Sequence, residues 1–220
     1  MLEDGLSYPA RGDWIGRIII GGVLGFAGFL VVPLFALGGY LFRVMEGTIE
    51  GGDVPPEFTD WGDLIVRGIG VAVIGVAYSI VPVLLWAFVA FSLIGAGGAV
   101  GGDAGGLLAG LGAVSMLVFL PVLILIYVLV PAAIGNYART GELGAAFDFG
   151  TILEVATTSD YVMAILLPIV VAVILQVIGF MLAVSFVGVV LIPFVQFYGQ
   201  VAVFRMFGMA FRNVEFESAA

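Results

Sequence analysis

The sequence predicts an all-α integral membrane protein, a helical bundle of about five hydrophobic segments. Two observations carry the prediction. Of the 220 residues, 62% are hydrophobic and 10% are charged, whereas soluble domains are about 25% charged. The charged residues also fall between long uncharged runs, which is typical of helices that cross a bilayer. A soluble fold needs polar residues to cover its surface, so the composition excludes an ordinary soluble enzyme, and it also excludes a disordered chain.

Four uncharged runs are long enough to cross a membrane, since one helical pass takes about 20 apolar residues. The first three runs suit one pass each, and the fourth suits two passes joined by a turn near residues 185–188. The chain is therefore interpreted as a single transmembrane domain, residues 1–220, with two helical hairpins, an N-terminal segment and short interfacial helices between them. The runs are 18–42, 68–102, 104–138 and 161–204, and the predicted segments are about 15–42, 66–95, 107–135, 161–183 and 188–210.

The path of the first run is left open by the sequence. Its 25 residues make one comfortable crossing and two poor ones. Its glycines and Pro33 suit a broken path that enters the membrane and returns. The preceding residues are acidic at Glu3, Asp4 and Asp13, which does not fit the basic start of a signal peptide. We therefore expect the run to remain in the mature protein.

Arginine placement predicts the orientation of the helices, because cytoplasmic segments are enriched in basic residues. The segments 43–67, 136–160 and 205–220 carry arginine and are expected in the cytoplasm, with the protein in the cell membrane. The glycine-rich segment 95–106 carries none. It has no phosphate-binding register, so we expect a flexible external turn there.

The missing residue types limit the chemistry that the chain can perform. It contains no His, Cys or Lys, which removes the usual nucleophilic triads, thiolate metal sites and Schiff bases. We expect no enzyme activity, no cofactor and no metal. The net charge of −9 disfavours nucleic acid as a partner. Because salt-adapted proteins use strong net charge, a halophilic source is a further hypothesis.

A short unit recurs along the chain. An acid followed by a large aromatic residue and a nearby glycine precedes three of the hydrophobic stretches, where the acid suits a helix N-terminus and the aromatic ring suits the membrane interface. A proline, a tyrosine and an arginine recur where the stretches end. The unit favours a returning path for the first run, but interfacial residues also recur without shared ancestry, so the repeat stays open. The starts are Asp13-Trp14, Asp60-Trp61 and Asp148-Phe149.

These residues form the candidate interfacial motif: Tyr40, Arg43, Pro55, Pro56, Asp60, Trp61, Tyr137, Arg139, Asp148 and Phe149. Two questions remain about them. The acids of the 53–63 segment could form a cation site, but a solvated acidic loop whose last acids cap the next helix is favoured. Arg43 and Arg139 could bind lipid phosphate, but anchoring is favoured, with the local ion pairs Arg43–Glu46 and Asp63–Arg67.

The order Gly39-Tyr40-Leu41-Phe42-Arg43, then 51–58 with its Pro-Pro-Glu-Phe, then Asp60-Trp61-Gly62, resembles the signature of a known family. It is similar to the uncharacterised archaeal multi-pass membrane proteins grouped as domain-of-unknown-function family 4013. The 137–150 segment, with Tyr137, Arg139 and the acid–aromatic pair, is also similar. The resemblance implies a membrane protein and carries no known activity or functional residues to transfer.

Two functions fit the sequence. The first is a non-enzymatic scaffold or partner subunit, surrounded by the lipid bilayer and bound to a membrane-protein partner or to its own copies. The alternative is a transporter or channel for a neutral or weakly polar solute, since the uncharged runs hold no Asp, Glu or Arg that could couple ions. Its pathway would use Gln176, Gln196 and Gln200, although hydrogen bonding between helices is the favoured role of these residues.

Overall fold

The computed structural model describes residues 1–185 and 187–218, and within these ranges the regular secondary structure is helical. Short 3-10 turns connect several of the α-helices. The α-helices of the described residues are α1 (Leu2–Ser7), α2 (Trp14–Phe26), α3 (Val32–Ile49), α4 (Trp61–Val100), α5 (Gly102–Thr140), α6 (Phe149–Ala156), α7 (Ser159–Val184) and α8 (Ile192–Ser218).

Among the described residues, four stretches are long and apolar enough to cross a membrane: α4, α5, α7 and residues 188–214. A fifth candidate is the pair of helical stretches Leu2–Ala10 and Trp14–Leu30. The two stretches are bent by 92° relative to each other at the break between Ala10 and Trp14. The all-α membrane bundle predicted from the sequence is therefore confirmed. The predicted turn near 185–188 includes residue 186, which lies outside the described residues; beside it, α7 ends at Val184 and Ser185 Oγ accepts a hydrogen bond from the Gly188 N–H at 3.0 Å.

The chain forms two compact units. Residues 1–73 and 131–220 form the first, and residues 74–130 form the second. In the first unit α8 is the central helix, since it packs against α1, α2, α3 and α7. One of its core clusters joins the start of the chain to α3, the following loop, the start of α4 and α8, through Tyr8, Leu37, Tyr40, Leu41, Val44, Phe58, Leu64, Phe197 and Val201.

The first hydrophobic run folds back on itself within the first unit. Arg17, near the start of α2, donates to the Pro55 carbonyl oxygen at 2.8 Å. The chain then breaks at Val31, whose φ of +67° is unusual for a β-branched residue, and α3 returns. Arg43 on α3 donates to the Thr59 carbonyl oxygen at 2.6 Å. Both ends of the run thus contact one loop, which favours the returning path.

Two glycines allow α3 and α4 to pack backbone against backbone. A Cβ atom on Gly39 would overlap the carbonyl oxygen of Leu64, and one on Gly68 would overlap the carbonyl oxygen of Phe35. Small residues permit such close approach between membrane helices. A similar role holds for Gly21, where a Cβ would overlap the Phe197 ring.

The second unit is built from the facing parts of α4 and α5. The turn expected over residues 95–106 is present but much shorter, because α4 continues to Val100 and α5 begins at Gly102. The reversal is made at Gly101 and Gly102, with φ of +65° and +59°, a conformation that glycine adopts without strain. The two helices stay in close contact up to the reversal. Gly105 lies so near the Gly97 carbonyl oxygen that a Cβ atom on Gly105 would overlap that oxygen.

The recurring acid–aromatic pairs mark helix starts, since Trp14, Trp61 and Phe149 are the first residues of α2, α4 and α6. Asp148 caps α6, and its Oδ1 accepts from the N–H groups of Gly150 at 3.1 Å and Thr151 at 3.3 Å. Asp60 Oδ1 likewise accepts from the Asp63 N–H at 3.4 Å. The aromatic residue therefore opens each helix, and the preceding acid supplies side-chain capping in two of the three cases.

The cap on α6 leads to a pH-dependent prediction. Hydrogen bonds from Thr151 and Gly150 lower the pKa of Asp148. A carboxyl group with a lowered pKa stabilises the helix above its unfolded pKa, and this contribution is lost as the pH falls through the folded value. We expect Asp148→Ala to speed amide hydrogen exchange in the first turn of α6 at neutral pH, and this difference from the native chain to shrink in acid.

Two variants control that measurement. Asp148→Asn should keep most of the protection, because asparagine also caps helices. Glu154→Ala, which removes an exposed acid on the same helix, should change little. Equal exchange in the Asp148→Ala variant and the native chain would contradict the capping role.

Candidate functional site

The best-organised polar feature of the first unit is the segment between α3 and α4, residues 50–60, called here the clamped loop. It leaves α3 through Gly51, with φ of +88°, and the Gly52 N–H bonds back to the Gly47 carbonyl at 2.7 Å. Prolines and glycines prevent the loop from continuing either helix. Its backbone carbonyl groups instead accept hydrogen bonds from side chains of other segments.

Arg205 on α8 holds the first part of the clamped loop. Only 2% of the Arg205 residue surface is exposed. Its Nε donates to Asp4 Oδ2 at 2.9 Å, its Nη1 donates to the Gly52 carbonyl, and its Nη2 donates to Asp53 Oδ1 at 3.3 Å. The guanidinium also lies 4.5 Å from the centre of the Tyr8 ring, a cation–π distance. One buried cation thus joins the start of the chain, the loop and α8.

Arg17 holds the middle of the clamped loop. Besides the Pro55 bond, its Nε donates to the Asp13 carbonyl at 2.9 Å and its Nη2 to the Arg11 carbonyl at 3.1 Å. Arg11 itself donates to the Asp53 carbonyl at 3.3 Å and pairs with Asp4. The planar guanidinium suits such multiple bonding.

Arg43 holds the end of the clamped loop and pairs with Asp63 at 2.8 Å. Asp63 also accepts from Arg67 at 2.9 Å, and Arg67 pairs with Glu46 at 3.0 Å. The expected Asp63–Arg67 pair is confirmed, whereas the expected Arg43–Glu46 pair is wrong because Arg43 turns toward α4 instead. Burial raises the pKa of Glu46, and the neighbouring Arg67 opposes that rise.

Aromatic rings pack the clamped loop against the core of the first unit. The Tyr40 ring stacks on Phe58 with centroids 4.0 Å apart, and Phe58 lies 5.8 Å from Trp61. The Tyr40 hydroxyl donates to the Pro56 carbonyl at 3.0 Å. Phe197 of α8 packs 5.4 Å from Tyr40, so the loop is joined to the core of the unit.

The acids of this segment have separate tasks. Asp63 is engaged by two arginines, and Asp60 caps α4. The Asp53 side chain is 80% exposed, although one of its oxygens reaches Arg205, and Glu57 is exposed. Across the described ranges, no three acidic side chains converge in a way that could hold a metal ion.

The predicted motif residues divide between three places. Six lie in the clamped loop or contact it: Tyr40, Arg43, Pro55, Pro56, Asp60 and Trp61. Tyr137 on α5 packs its ring 4.5 Å from Phe42, and Arg139 donates to Asn136 Oδ1 at 2.8 Å. Asp148 and Phe149 begin α6 instead.

Sequence reasoning missed the residues outside the clamped loop that hold it in place: Asp4, Tyr8, Arg11, Arg17 and Arg205. One signal for Arg205 was available. It interrupts an otherwise apolar stretch, with Phe204 before it and Met206 after it. An ionisable residue in such a stretch usually faces the bundle interior and has a partner there.

The geometry shows what this arrangement can do chemically. The guanidinium groups that hold the clamped loop donate to carbonyl and carboxylate oxygens of the chain itself. Their N–H groups are therefore engaged within the chain rather than open to a phosphate. These groups belong to Arg11, Arg17, Arg43 and Arg205. The surface that results is a fixed loop with carboxylates directed outward. Such a surface is suited to recognition by contact.

Comparisons with known proteins give the chain its family. The model of DUF4013, a protein family of unknown function, matches residues 25–184. An uncharacterised protein of the archaeon Methanocaldococcus jannaschii, MJ1189, is 39% identical over 70 residues, which is 29% of this chain and 25% of that protein. The matched region therefore spans about a quarter of that relative's length. No solved structure matches. The resemblance seen in the 39–62 and 137–150 segments is thus confirmed, and the chain belongs to the DUF4013 family.

Proposed function

We propose that the chain is a non-enzymatic protein of the cell membrane, and that it acts as a scaffold or subunit by binding a partner protein through the clamped loop. The single observation that supports this proposal most strongly is the way the loop is held. Side chains from the start of the chain, α2, α3 and α8 all bond to its backbone, while Asp53 and Glu57 stay exposed.

A loop fixed in this way favours binding, because little conformational entropy remains to be lost when a partner contacts it. The exposed carboxylates suit a basic surface on the partner, since complementary charge steers association and selects partners. A role without catalysis fits the lack of His, Cys and Lys and the engagement of the arginine donors within the chain.

Site-specific photocrosslinking in native membranes tests the proposal. A photoreactive residue in place of Glu57 should capture a different protein reproducibly, whereas one in place of Glu154 on α6 should not. Both are exposed acids, so the pair controls for accessibility and charge. Raised salt should reduce the Glu57 product, since exposed charge pairs are screened. Recovery of the chain alone, or equal capture at both positions, would count against partner binding through the loop.

A solute pathway is the alternative, and one groove favours it. A cavity of about 440 Å³ lies between α3 and the start of α8, and its lining includes Gln196 and Gln200. The third predicted glutamine, Gln176, is exposed on α7 and does not line this groove. Liposome swelling with neutral solutes decides between the functions. Uptake that is lost in Gln196→Leu and Gln200→Leu would support transport, and no uptake above empty liposomes would exclude it.

We further propose that the arginine-bearing segments face the cytoplasm and that the protein is adapted to high salt. The first rests on the enrichment of basic residues on that side, and the second on the net charge of −9. A thermal transition of the detergent-solubilised protein that rises steeply up to molar potassium chloride would support salt adaptation. A transition that does not depend on salt would refute it.

A further inference from the structure

The second unit contains an apolar cleft that is separate from the clamped loop. It lies between α4 and α5 and has a volume of about 550 Å³, within the size range of small-molecule sites. Its lining is formed by Pro82, Leu85, Trp86, Val89, Leu93, Leu111, Val114, Ser115, Phe119 and Val122. None of these side chains is ionisable, so the cleft suits an uncharged occupant.

One polar group of this cleft lacks a partner. The indole Nε1 of Trp86 is buried, and no acceptor among the described residues bonds to it. The ring is held by stacking on Phe119, with centroids 5.2 Å apart. The nearby Ser115 hydroxyl already donates to the Gly112 carbonyl at 2.6 Å. A buried N–H without an acceptor costs about 1–3 kcal/mol, and in a bilayer no water is available to supply one.

The surroundings determine which molecules can reach the cleft. Both helices are long and apolar enough to cross a membrane, and lining residues on each of them, Leu85 on α4 and Val114 on α5, are exposed to the exterior of the unit. Lipids therefore have direct access. A hydrocarbon chain matches the apolar walls, and an ester or ether oxygen of the same lipid is the acceptor that the indole N–H requires.

We propose that the α4–α5 cleft binds one membrane lipid, whose chain lies along the apolar walls and whose neutral oxygen accepts the Trp86 Nε1–H bond. The site is independent of the clamped loop and of partner binding there. A lipid held in this way would fill a surface concavity of the unit and satisfy its buried donor.

Titration of diacylglycerol into the full chain in dodecyl maltoside, followed by NMR of the indole N–H groups, tests the proposal. The chain has three tryptophans, so its indole N–H signals are few, and the signal of Trp86 is identified by its absence in Trp86→Phe. We expect this signal to move downfield and saturate with diacylglycerol. Hexadecane, which has no acceptor, should not produce that downfield shift. We also expect Trp86→Phe, followed through the backbone amide signals of the residues that line the cleft, to bind diacylglycerol about two- to tenfold more weakly, because one net hydrogen bond is lost.

Matched variants separate the cleft from the general surface. Ser115→Leu should fill the cleft and abolish the saturable shift, and Val89→Phe serves the same purpose from the other helix if Ser115→Leu fails to fold. Leu84→Phe adds bulk at an exposed position outside the lining and should leave the shift intact. A shift that never saturates, that hexadecane reproduces, or that survives the folded cleft-filling variant would overturn the proposal.

Discussion

Replacing Gly39 with alanine is expected to destabilise the first unit by about 3 kcal/mol or more, the upper range for overpacking a core. The new Cβ would overlap the backbone carbonyl of Leu64, and a backbone atom cannot rotate away as a side chain can. Helices α3 and α4 would have to separate, which would also move Arg43 away from Asp63. Gly68→Ala should have a similar effect, because its Cβ would overlap the Phe35 carbonyl.

Gly47→Ala is the matched control for this prediction. It lies in the same helix as Gly39, and an added Cβ would meet no atom within 4 Å. Alanine is favoured over glycine in helices by about 1 kcal/mol, so this variant should be neutral or slightly stabilised. Unfolding of the purified protein by sodium dodecyl sulfate in mixed micelles measures all three variants. Equal stability of Gly39→Ala and Gly47→Ala would contradict the close α3–α4 packing.

The second large effect is expected at Arg205. Removing its side chain in Arg205→Ala leaves the Gly52 carbonyl and Asp4 without their buried donor. Loss of one partner from a buried ion pair costs about 3–5 kcal/mol. Because Asp4 and Asp53 keep access to solvent, we expect the lower end, about 3 kcal/mol. The clamped loop and residues 1–10 should then exchange amide hydrogens faster together.

Arg205→Lys and Arg212→Ala control for this variant. Lysine keeps the charge but cannot bond to Asp4, Gly52 and Asp53 at once, so it should recover only part of the lost stability. Arg212→Ala removes the same side chain from the same helix near its end and should cost much less. Faster exchange confined to α8, with the loop and residues 1–10 unaffected, would show that Arg205 does not join these segments.

The elements of this fold were predictable where a short stretch of sequence decides them. Uncharged runs indicated the membrane helices, and the acid–aromatic pairs at Trp14, Trp61 and Phe149 marked helix starts, because capping and interfacial preference act locally. The glycine-rich segment 95–106 shows the limit of this signal. Its glycines suggest a loop throughout, but only Gly101 and Gly102 make the turn, while Gly97 and Gly105 allow close helix packing.

The contacts that hold the clamped loop were harder to predict, because these hydrogen bonds and ion pairs join residues that are distant in the chain. Sequence reasoning paired Arg43 with Glu46 by helical spacing, but its carboxylate partner in the structure is Asp63, twenty residues away. Arg205 and Asp4 are separated by 201 residues. The motif residues in the 40–61 segment were identified because they lie close together, and the arginines that hold them were not.

The sidedness of the N-terminal segment tests the central claim most directly, namely that the first hydrophobic run returns and places the start of the chain beside the clamped loop. The chain has no cysteine, so single cysteines can be introduced at the exposed positions Glu3, Glu50 and Val184. They are labelled in oriented vesicles with a membrane-impermeant maleimide. We predict that Glu3→Cys and Glu50→Cys are labelled from the same side and Val184→Cys from the opposite side. Labelling of Glu3→Cys from the side of Val184→Cys would contradict the returning path.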